Sequence, residues 1–401
     1  MLKLMTERAH LMCPNMFFGI QFKIDQAFIG AKFEDSLRNL SRIHPTTLMN
    51  VTFDKDNNAF LTATDKSILD FTLTSSLDYK KIFNNISKSS WNTTKESLLR
   101  IYVCCNDNSF SVLFVTHHIL CDGRGLLTLV KDFANLYAKS KLSDAPRKAI
   151  IPILIGDDNK LPKESALPFV SKVITKDANK RFTKENHKVN YEDYLKFEKE
   201  FGNKNLISYS DDKHTTDDTK KIISLCKENA ISVNDYLVAK MMQEENNGEL
   251  LIASDIRSKL SNYVPDSVGN FATAYTIKVK KVDSDIIKLA KNINATNKKI
   301  ASTPSKEMLV LSFYMLLDKE LLDAIAISTL GSFKSESGNF VGSNMFGYKS
   351  RSNISITNLG KFQSDVISEA FFIPPASPAN KKTWGVLTLN DTMTIIKAEA
   401  N

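Results

Sequence analysis

The chain has 401 residues, of which 42% are hydrophobic and 24% are charged. This composition is typical of a globular protein and argues against a disordered or fibrous chain, and the length favours two domains over a single core. Fifty-three basic and 45 acidic residues leave a net charge of +8, which suits an anionic partner such as coenzyme A phosphates, an acidic carrier protein or nucleic acid. Because Lys and Asn are abundant throughout the chain, a solvated basic surface explains the excess more simply.

Cysteine usage and hydropathy predict the compartment. The five cysteines are odd in number and show no C-x-x-C spacing, which favours a reduced, cytoplasmic protein. Met1–Pro14 lacks the apolar core of a signal peptide, and the apolar stretch Met308–Leu317 is too short to span a bilayer. We therefore expect a cytoplasmic protein with no membrane span.

The first third of the chain predicts alternating strands and helices. Phe17–Ile24 has strand character, Phe33–Ile43 is an amphipathic helix, and two strands follow at Leu48–Phe53 and Phe60–Thr64. Leu99–Cys105 and Phe110–Val115 then flank a polar turn of residues 106–109, which is a hairpin signal.

The second hairpin strand runs into the sequence His117-His118-x-x-x-Asp122-Gly123, and residues 126–137 follow with the apolar spacing of a helix. Adjacent residues at a strand end point to opposite sides, so one imidazole can face a cleft and accept a proton at neutral pH. Asp122 could hold a histidine tautomer directly, or pair with a distant cation and brace the loop. Gly123 allows a positive φ and a close backbone approach.

Two other interpretations of this stretch are weaker. The histidines could be ordinary core residues with Asp122 as a helix cap. Cys121 lies inside the motif and suggests a nucleophile, but a small apolar filler is the better interpretation.

The rest of the chain predicts a crossover and a second α/β unit. Residues 145–205 are rich in Pro, Lys, Asp and Asn, with helical character only near Tyr191–Phe201. Beyond the crossover, strands are predicted at Leu250–Ala253, Ala274–Val279, Asn353–Thr357, Trp384–Leu389 and Met393–Lys397, and two helices within Met308–Leu330.

The histidine motif resembles the HHxxxDG motif of the condensation-domain and CoA-dependent acyltransferase superfamily, which is chloramphenicol-acetyltransferase-like. Arg257 followed by Val268-Gly269-Asn270-Phe271 resembles a segment of condensation domains, and Thr357-Asn358-Leu359-Gly360 resembles alcohol acetyltransferase-like members. The resemblance implies an α/β (α+β) fold in which two sandwich halves, residues 1–165 and 166–401, form a V-shaped pseudo-dimer. It also implies that His118 is the general base and that Asp122 makes a structural ion pair with Arg257.

The resemblance implies an acyltransferase of secondary metabolism that moves an acyl group from acyl-CoA to a hydroxyl or amine. His118 would act with His117, Asp122 and Gly123, and Gly123, Thr357 or Asn358 would supply oxyanion donors. The alternatives are a free-standing condensation enzyme that uses the phosphopantetheine thioester of a carrier protein, and a non-catalytic docking relative. Ala272-Thr273-Ala274 departs from the Val-Asn-Thr of peptide-forming domains, which favours simple acyl transfer. We expect a monomer with no permanently bound cofactor, no metal and no nucleic-acid partner.

Overall fold

The computed structural model of the protein describes residues 1–138 and 148–400. Its strands are β1 Leu2–Lys3, β2 Phe17–Ile24, β3 Met49–Phe53, β4 Ala59–Ala63, β5 Thr72–Thr74, β6 Leu99–Cys105, β7 Phe110–His117, β8 Ile207–Lys213, β9 Glu249–Asp255, β10 Ala272–Lys278, β11 Asn353–Phe362, β12 Ile367–Ile373, β13 Asn380–Leu389 and β14 Thr392–Ala400. Its helices are α1 Gly30–Ile43, α2 Tyr79–Ser89, α3 Gly123–Ala138, α4 Phe169–Glu185, α5 Tyr191–Lys204, α6 Thr216–Glu228, α7 Val233–Glu244, α8 Ile286–Ala301, α9 Pro304–Glu307, α10 Leu309–Leu316, α11 Lys319–Leu330 and α12 Glu336–Asn344.

A five-stranded sheet in the order β12-β2-β7-β6-β5 carries the histidine motif. Side chains alternate across its strands, so Phe18 and Phe114 pack into one core with helices α1 and α3, while Val115 packs on the other face with helix α2. Because both faces are covered, β7 is buried along nearly its whole length, and its middle residues, 112–115, are all apolar, as the sequence run suggests. The predicted hairpin is present: β6 and β7 pair antiparallel from Leu99 opposite Thr116.

One strand of this sheet comes from the far end of the chain. Strand β12 pairs antiparallel with β2, with Phe372 opposite Ile20. Residues of the C-terminal part therefore complete the sheet that presents the motif, and the division between residues 165 and 166 stays a prediction.

The second large sheet has six strands in the order β10-β9-β11-β13-β14-β8. Helices α7 and α8 cover one face, where Trp384 is fully buried with Leu237 and Leu289. Strands β1, β4 and β3 form a small third sheet. No helix of the described ranges is both long and apolar enough to cross a membrane.

The crossover differs from the prediction. Its first residues, 145–147, lie outside the described part of the chain, and the predicted helix near Tyr191–Phe201 is α5. The prediction missed α4, a helix of 17 residues that buries only Thr175, Ala178 and Phe182. Three inward-facing positions, two of them small or polar, leave too little apolar periodicity for a helix to be predicted.

Candidate active site

The loop of residues 118–122 carries the motif from β7 to α3. β7 ends at His117, and α3 begins at Gly123. The backbone N–H of His118 donates to the carbonyl oxygen of Met16 at 2.8 Å, and that of Leu120 donates to the carbonyl oxygen of His117 at 2.9 Å. These bonds fix both histidines at the C-terminal end of β7, the middle strand of the sheet.

His117 is the inward-facing histidine. It is only 2% exposed, its ring lies edge-on to Trp91 at 5.7 Å, and its Nδ1 accepts the backbone N–H of Ile119 at 3.3 Å. Burial lowers the pKa of His117 to about 3. It is therefore a neutral imidazole whose contacts are structural.

His118 is half-buried and lies among residues from both parts of the chain. The ring of His10 stacks on it, with centroids 4.5 Å apart and planes 19° apart, and Phe18 meets it edge-on at 4.9 Å. Asn270 Nδ2 lies 3.2 Å from His118 Nδ1 and donates to the His118 carbonyl oxygen at 3.3 Å. The imidazole is thus packed on one face and one edge, and Asn270 is hydrogen-bonded to its backbone beside Nδ1.

The surroundings of His118 keep it neutral at neutral pH. Burial lowers its pKa below the ordinary value of 6.5, while the Asp122 charge and a hydrogen bond with its own backbone carbonyl oppose that shift. A neutral imidazole can accept a proton from a substrate, so the site has the protonation state that a general base requires.

His10 and Asn270 were not predicted as site residues. His10 ends a short 3-10 turn, Glu7–His10, and Tyr314 meets its ring edge-on at 6.0 Å. No spacing relates His10 to the motif, so only the fold brings it there. Asn270 had a signal: it lies inside the Val268–Phe271 segment that the resemblance singled out.

Asp122 connects the motif to that segment. Its Oδ1 accepts from Arg257 Nη2 at 2.8 Å and from the Gly125 N–H at 2.9 Å, and its Oδ2 accepts from the Phe271 N–H at 2.7 Å. Asp122 therefore caps α3 and pairs with a distant cation. Burial raises its pKa, but the charge of Arg257 and these hydrogen bonds outweigh burial and leave the pKa below its ordinary value.

Arg257 lies between two carboxylates. Its Nη1 donates to Asp255 Oδ1 at 2.8 Å, its guanidinium lies 5.1 Å from the ring centre of Phe271, and its side chain is 11% exposed. The N–H of Asp122 also donates to the carbonyl oxygen of Gly269 at 3.3 Å. Backbone bonds on both sides of Asn270 thus attach its segment to the histidine loop.

Gly123 lies beside Leu359 on β11, the strand that also carries the predicted oxyanion residues Thr357 and Asn358. Gly123 does not adopt a positive φ, contrary to the prediction. A Cβ there would lie 2.5 Å from Leu359 Cδ2, so a larger residue would require the Leu359 side chain to shift. Thr357 and Asn358 precede Leu359 on β11, which continues beyond its predicted end, and Asn358 Oδ1 accepts from the Gly360 N–H at 2.9 Å. Their role as oxyanion donors stays a prediction.

Other chemistry has little support at this site. Cys121 is fully buried, and burial raises the pKa of its thiol, so it is a poor source of thiolate. In the described residues, no group of three or more His, Cys, Asp or Glu side chains converges as metal ligands would.

Comparisons with known proteins relate the chain to condensation domains. The family model for the condensation domain matches residues 13–150, which include the histidine loop. A search of curated protein sequences finds no significant match.

Solved structures resemble the chain over almost its full length. Trichothecene 15-O-acetyltransferase from Fusarium sporotrichioides has a TM-score of 0.66 at 12% identity, with 98% of this chain and 89% of that chain covered. The first condensation domain of the CDA synthetase has a TM-score of 0.59 at 9% identity, with 100% of this chain and 90% of that chain covered. TRI101 of F. sporotrichioides, complexed with coenzyme A and T-2, has a TM-score of 0.56 at 10% identity, with 100% of this chain and 94% of that chain covered.

These comparisons establish the fold. The chain has the α/β fold of condensation domains and of the acetyltransferases to which it is similar, and the resemblance predicted from its sequence is confirmed. Within that fold, this chain presents a histidine whose neighbours come from both parts of the molecule.

Proposed function

We propose that the protein is an acyltransferase that moves an acyl group from a thioester to a hydroxyl or amine, with His118 as general base. The observation that carries the proposal is the state of His118, a half-buried imidazole held by His10, Phe18 and Asn270, with a pKa below 6.5. Such a group is a competent base at neutral pH.

In this mechanism, His118 removes the proton of the acceptor hydroxyl or amine while the acceptor attacks the thioester carbonyl carbon. The tetrahedral intermediate collapses, the carbon–sulfur bond breaks, and the protonated imidazole returns the proton to the leaving thiolate. General-base catalysis of this kind contributes about 10²–10⁴ in rate. Holding both reactants beside one imidazole removes the entropy cost of a bimolecular encounter.

Asn270 and the Asp122–Arg257 pair act as positioning groups in this proposal. Asn270 Nδ2 donates to the His118 carbonyl oxygen and lies beside Nδ1, so it restrains the position of the imidazole. Proton transfer to Nε2 requires the tautomer that carries its proton on Nδ1, in which Nδ1–H donates to the His118 carbonyl oxygen. Asp122 and Arg257 fix the segment that carries Asn270.

The developing oxyanion requires donors. The N–H of Gly123 belongs to the first turn of α3, where backbone N–H groups and the helix dipole favour negative charge. Thr357 and Asn358 are the side-chain candidates, since β11 packs against Gly123 through Leu359.

A free acyl-CoA is the donor that we favour, because TRI101, a solved structure with the same fold, is complexed with coenzyme A. A carrier-protein thioester is the second candidate, and the condensation-domain match to residues 13–150 favours it. The acceptor would be a small-molecule alcohol or amine in either reaction.

The test is thiol release from a panel of acyl-CoAs and from the matching acyl-carrier proteins, with alcohols and amines as acceptors. We expect wild-type turnover and a loss of at least about 10²-fold in the His118→Ala variant. His187→Ala is the matched control, because His187 lies away from the motif and pairs with Glu185.

The outcomes separate the three functions. Turnover of acyl-CoA supports the first proposal, and turnover of carrier-bound groups alone supports the condensation enzyme. A folded protein that releases no thiol from either donor overturns both and favours a docking role.

A further inference from the structure

Helix α4, in the crossover between the two large sheets, exposes an unusual apolar surface. Phe169 is 81% exposed, Val170 66%, Val173 49% and Ile174 40%. These four residues occupy the first two turns, while Thr175, Ala178 and Phe182 face the protein. Large apolar side chains gathered on one exposed helix face commonly mark an interaction surface.

The same helix carries a stripe of exposed lysines. Lys172, Lys176, Lys180 and Lys184 follow one another at intervals of four residues, so their side chains line up along one side of the helix. Like charges at this spacing repel and cost helix stability. Among the described residues, none of the four makes an ion pair, whereas Asp177, the acidic residue of the exposed side, pairs with Arg181 at 2.7 Å.

Positive charge is concentrated around this helix. Residues 163–188 contain seven Lys or Arg and three Asp or Glu, so they supply half of the net charge of the whole chain. A local basic excess beside exposed apolar side chains suits an occupant that is both anionic and apolar.

We propose that the exposed face of α4 binds an anionic lipid surface, with residues 169–174 inserted at the headgroup boundary and the lysines above them contacting phosphates. Amphipathic helices that lie in the membrane interface combine Phe and aliphatic side chains with Lys-rich polar faces. The protein would be peripheral, which agrees with the finding that no described helix is suited to cross a bilayer.

The composition of the face favours lipid over a protein partner. Protein interfaces are depleted in Lys, and their strongest contacts are made by Trp, Tyr and Arg in pockets. The exposed face of α4 has Phe169 with Val, Ile and Lys, and the helix contains no Trp or Tyr. Each lysine near an anionic membrane strengthens binding several-fold, which would offset the repulsion along the stripe.

The experiment is co-sedimentation of the full chain with vesicles, which requires no knowledge of its substrate. We expect the protein to pellet with mixed phosphatidylcholine–phosphatidylglycerol vesicles, to remain in solution with phosphatidylcholine alone, and to bind more weakly as salt is raised. The triple variant K172Q/K176Q/K180Q should lower partitioning on the order of 100-fold. Phe169→Ser should lower it as well by removing the most exposed apolar side chain.

Two controls match these changes elsewhere on the surface. K291Q/K298Q/K299Q removes the same charge from exposed positions on α8. Ile29→Ser removes an exposed apolar residue just before α1, distant in sequence from α4. Both should bind vesicles as the wild type does, and thermal unfolding checks that every variant is folded.

Three results would overturn the inference. They are the absence of pelleting with the mixed vesicles, an equal loss in the α4 and control variants, and a Phe169→Ser variant that turns a dimer into a monomer by light scattering. The last result would assign the face to a second copy of the chain.

Discussion

The pKa of His118 depends on two opposing effects. Burial lowers it, and the nearby Asp122 carboxylate raises it, with burial the larger effect. His118 is therefore mostly unprotonated at neutral pH, and the midpoint of its titration lies below pH 6.5. We expect kcat/KM to fall on the acid side with a midpoint below pH 6.5, because the base works in its neutral form. An acidic limb centred above pH 6.5 in the measured pH profile would contradict this assignment.

His10 lies on the ring face of His118, which allows two roles. A stacked ring can restrain the orientation of His118, or His10 can carry protons itself. Burial lowers the pKa of His10 well below its ordinary value, and His118 adds to that effect, which disfavours proton transfer. The stacking role therefore predicts how two substitutions differ.

His10→Ala should lower kcat about 5-fold, the rate equivalent of losing roughly 1 kcal/mol of stacking. His10→Phe should retain most of the rate, since it keeps a flat ring over His118 without a titratable nitrogen. Comparison of kcat for the two variants checks the role. Equal losses in both would show that the imidazole nitrogen of His10 matters and would reject simple stacking.

At the scale of elements, the loop between β7 and α3 depends on Asp122 for its shape. The Asp122 carboxylate accepts hydrogen bonds from the Gly125 N–H at the start of α3, from the Arg257 guanidinium and from the Phe271 N–H. Asp122→Asn should lower the free energy of unfolding by about 3 kcal/mol, because a buried cation loses part of its neutralising charge. It should also reduce activity by loosening Asn270. Denaturant unfolding and turnover measure the two effects.

Asp255→Asn is the matched control, because Asp255 also pairs with Arg257 but is 30% exposed, and it pairs otherwise with Arg124 on α3. We expect Asp255→Asn to lower the free energy of unfolding and the activity less than Asp122→Asn does. If the Asp122→Asn protein folds normally and is fully active, the bracing role of Asp122 is wrong.

A helix or strand could be predicted from the sequence where the spacing of its apolar residues reflects a face buried in the core. Helix α3 buries Leu126, Val130 and Phe133, and its spacing was visible in the sequence. Helix α4 exposes its large apolar residues and was missed. The Asp122–Arg257 pairing could be anticipated from motifs alone, whereas the His10 contact depends on tertiary packing that no local pattern encodes.

At the scale of the whole molecule, the two halves predicted from the sequence share structure. β12 completes the sheet of the first half by pairing with β2. A buried ion pair joins Arg8 near the N-terminus to Asp323 on α11, with both side chains almost fully buried. A division at residue 165 would separate each of these partners.

A fragment of residues 1–165 should therefore fail to fold as a stable monomer. Without β12, strand β2 becomes an unpaired apolar edge, which is prone to aggregation. Without Asp323, the buried guanidinium of Arg8 has lost its carboxylate partner, a cost of about 3–5 kcal/mol. Co-expression with residues 166–401 should restore a soluble complex, because the missing strand and carboxylate both lie in that part. Size-exclusion chromatography with light scattering distinguishes the results, and a monomeric 1–165 fragment that unfolds cooperatively would show that the first half needs neither contact.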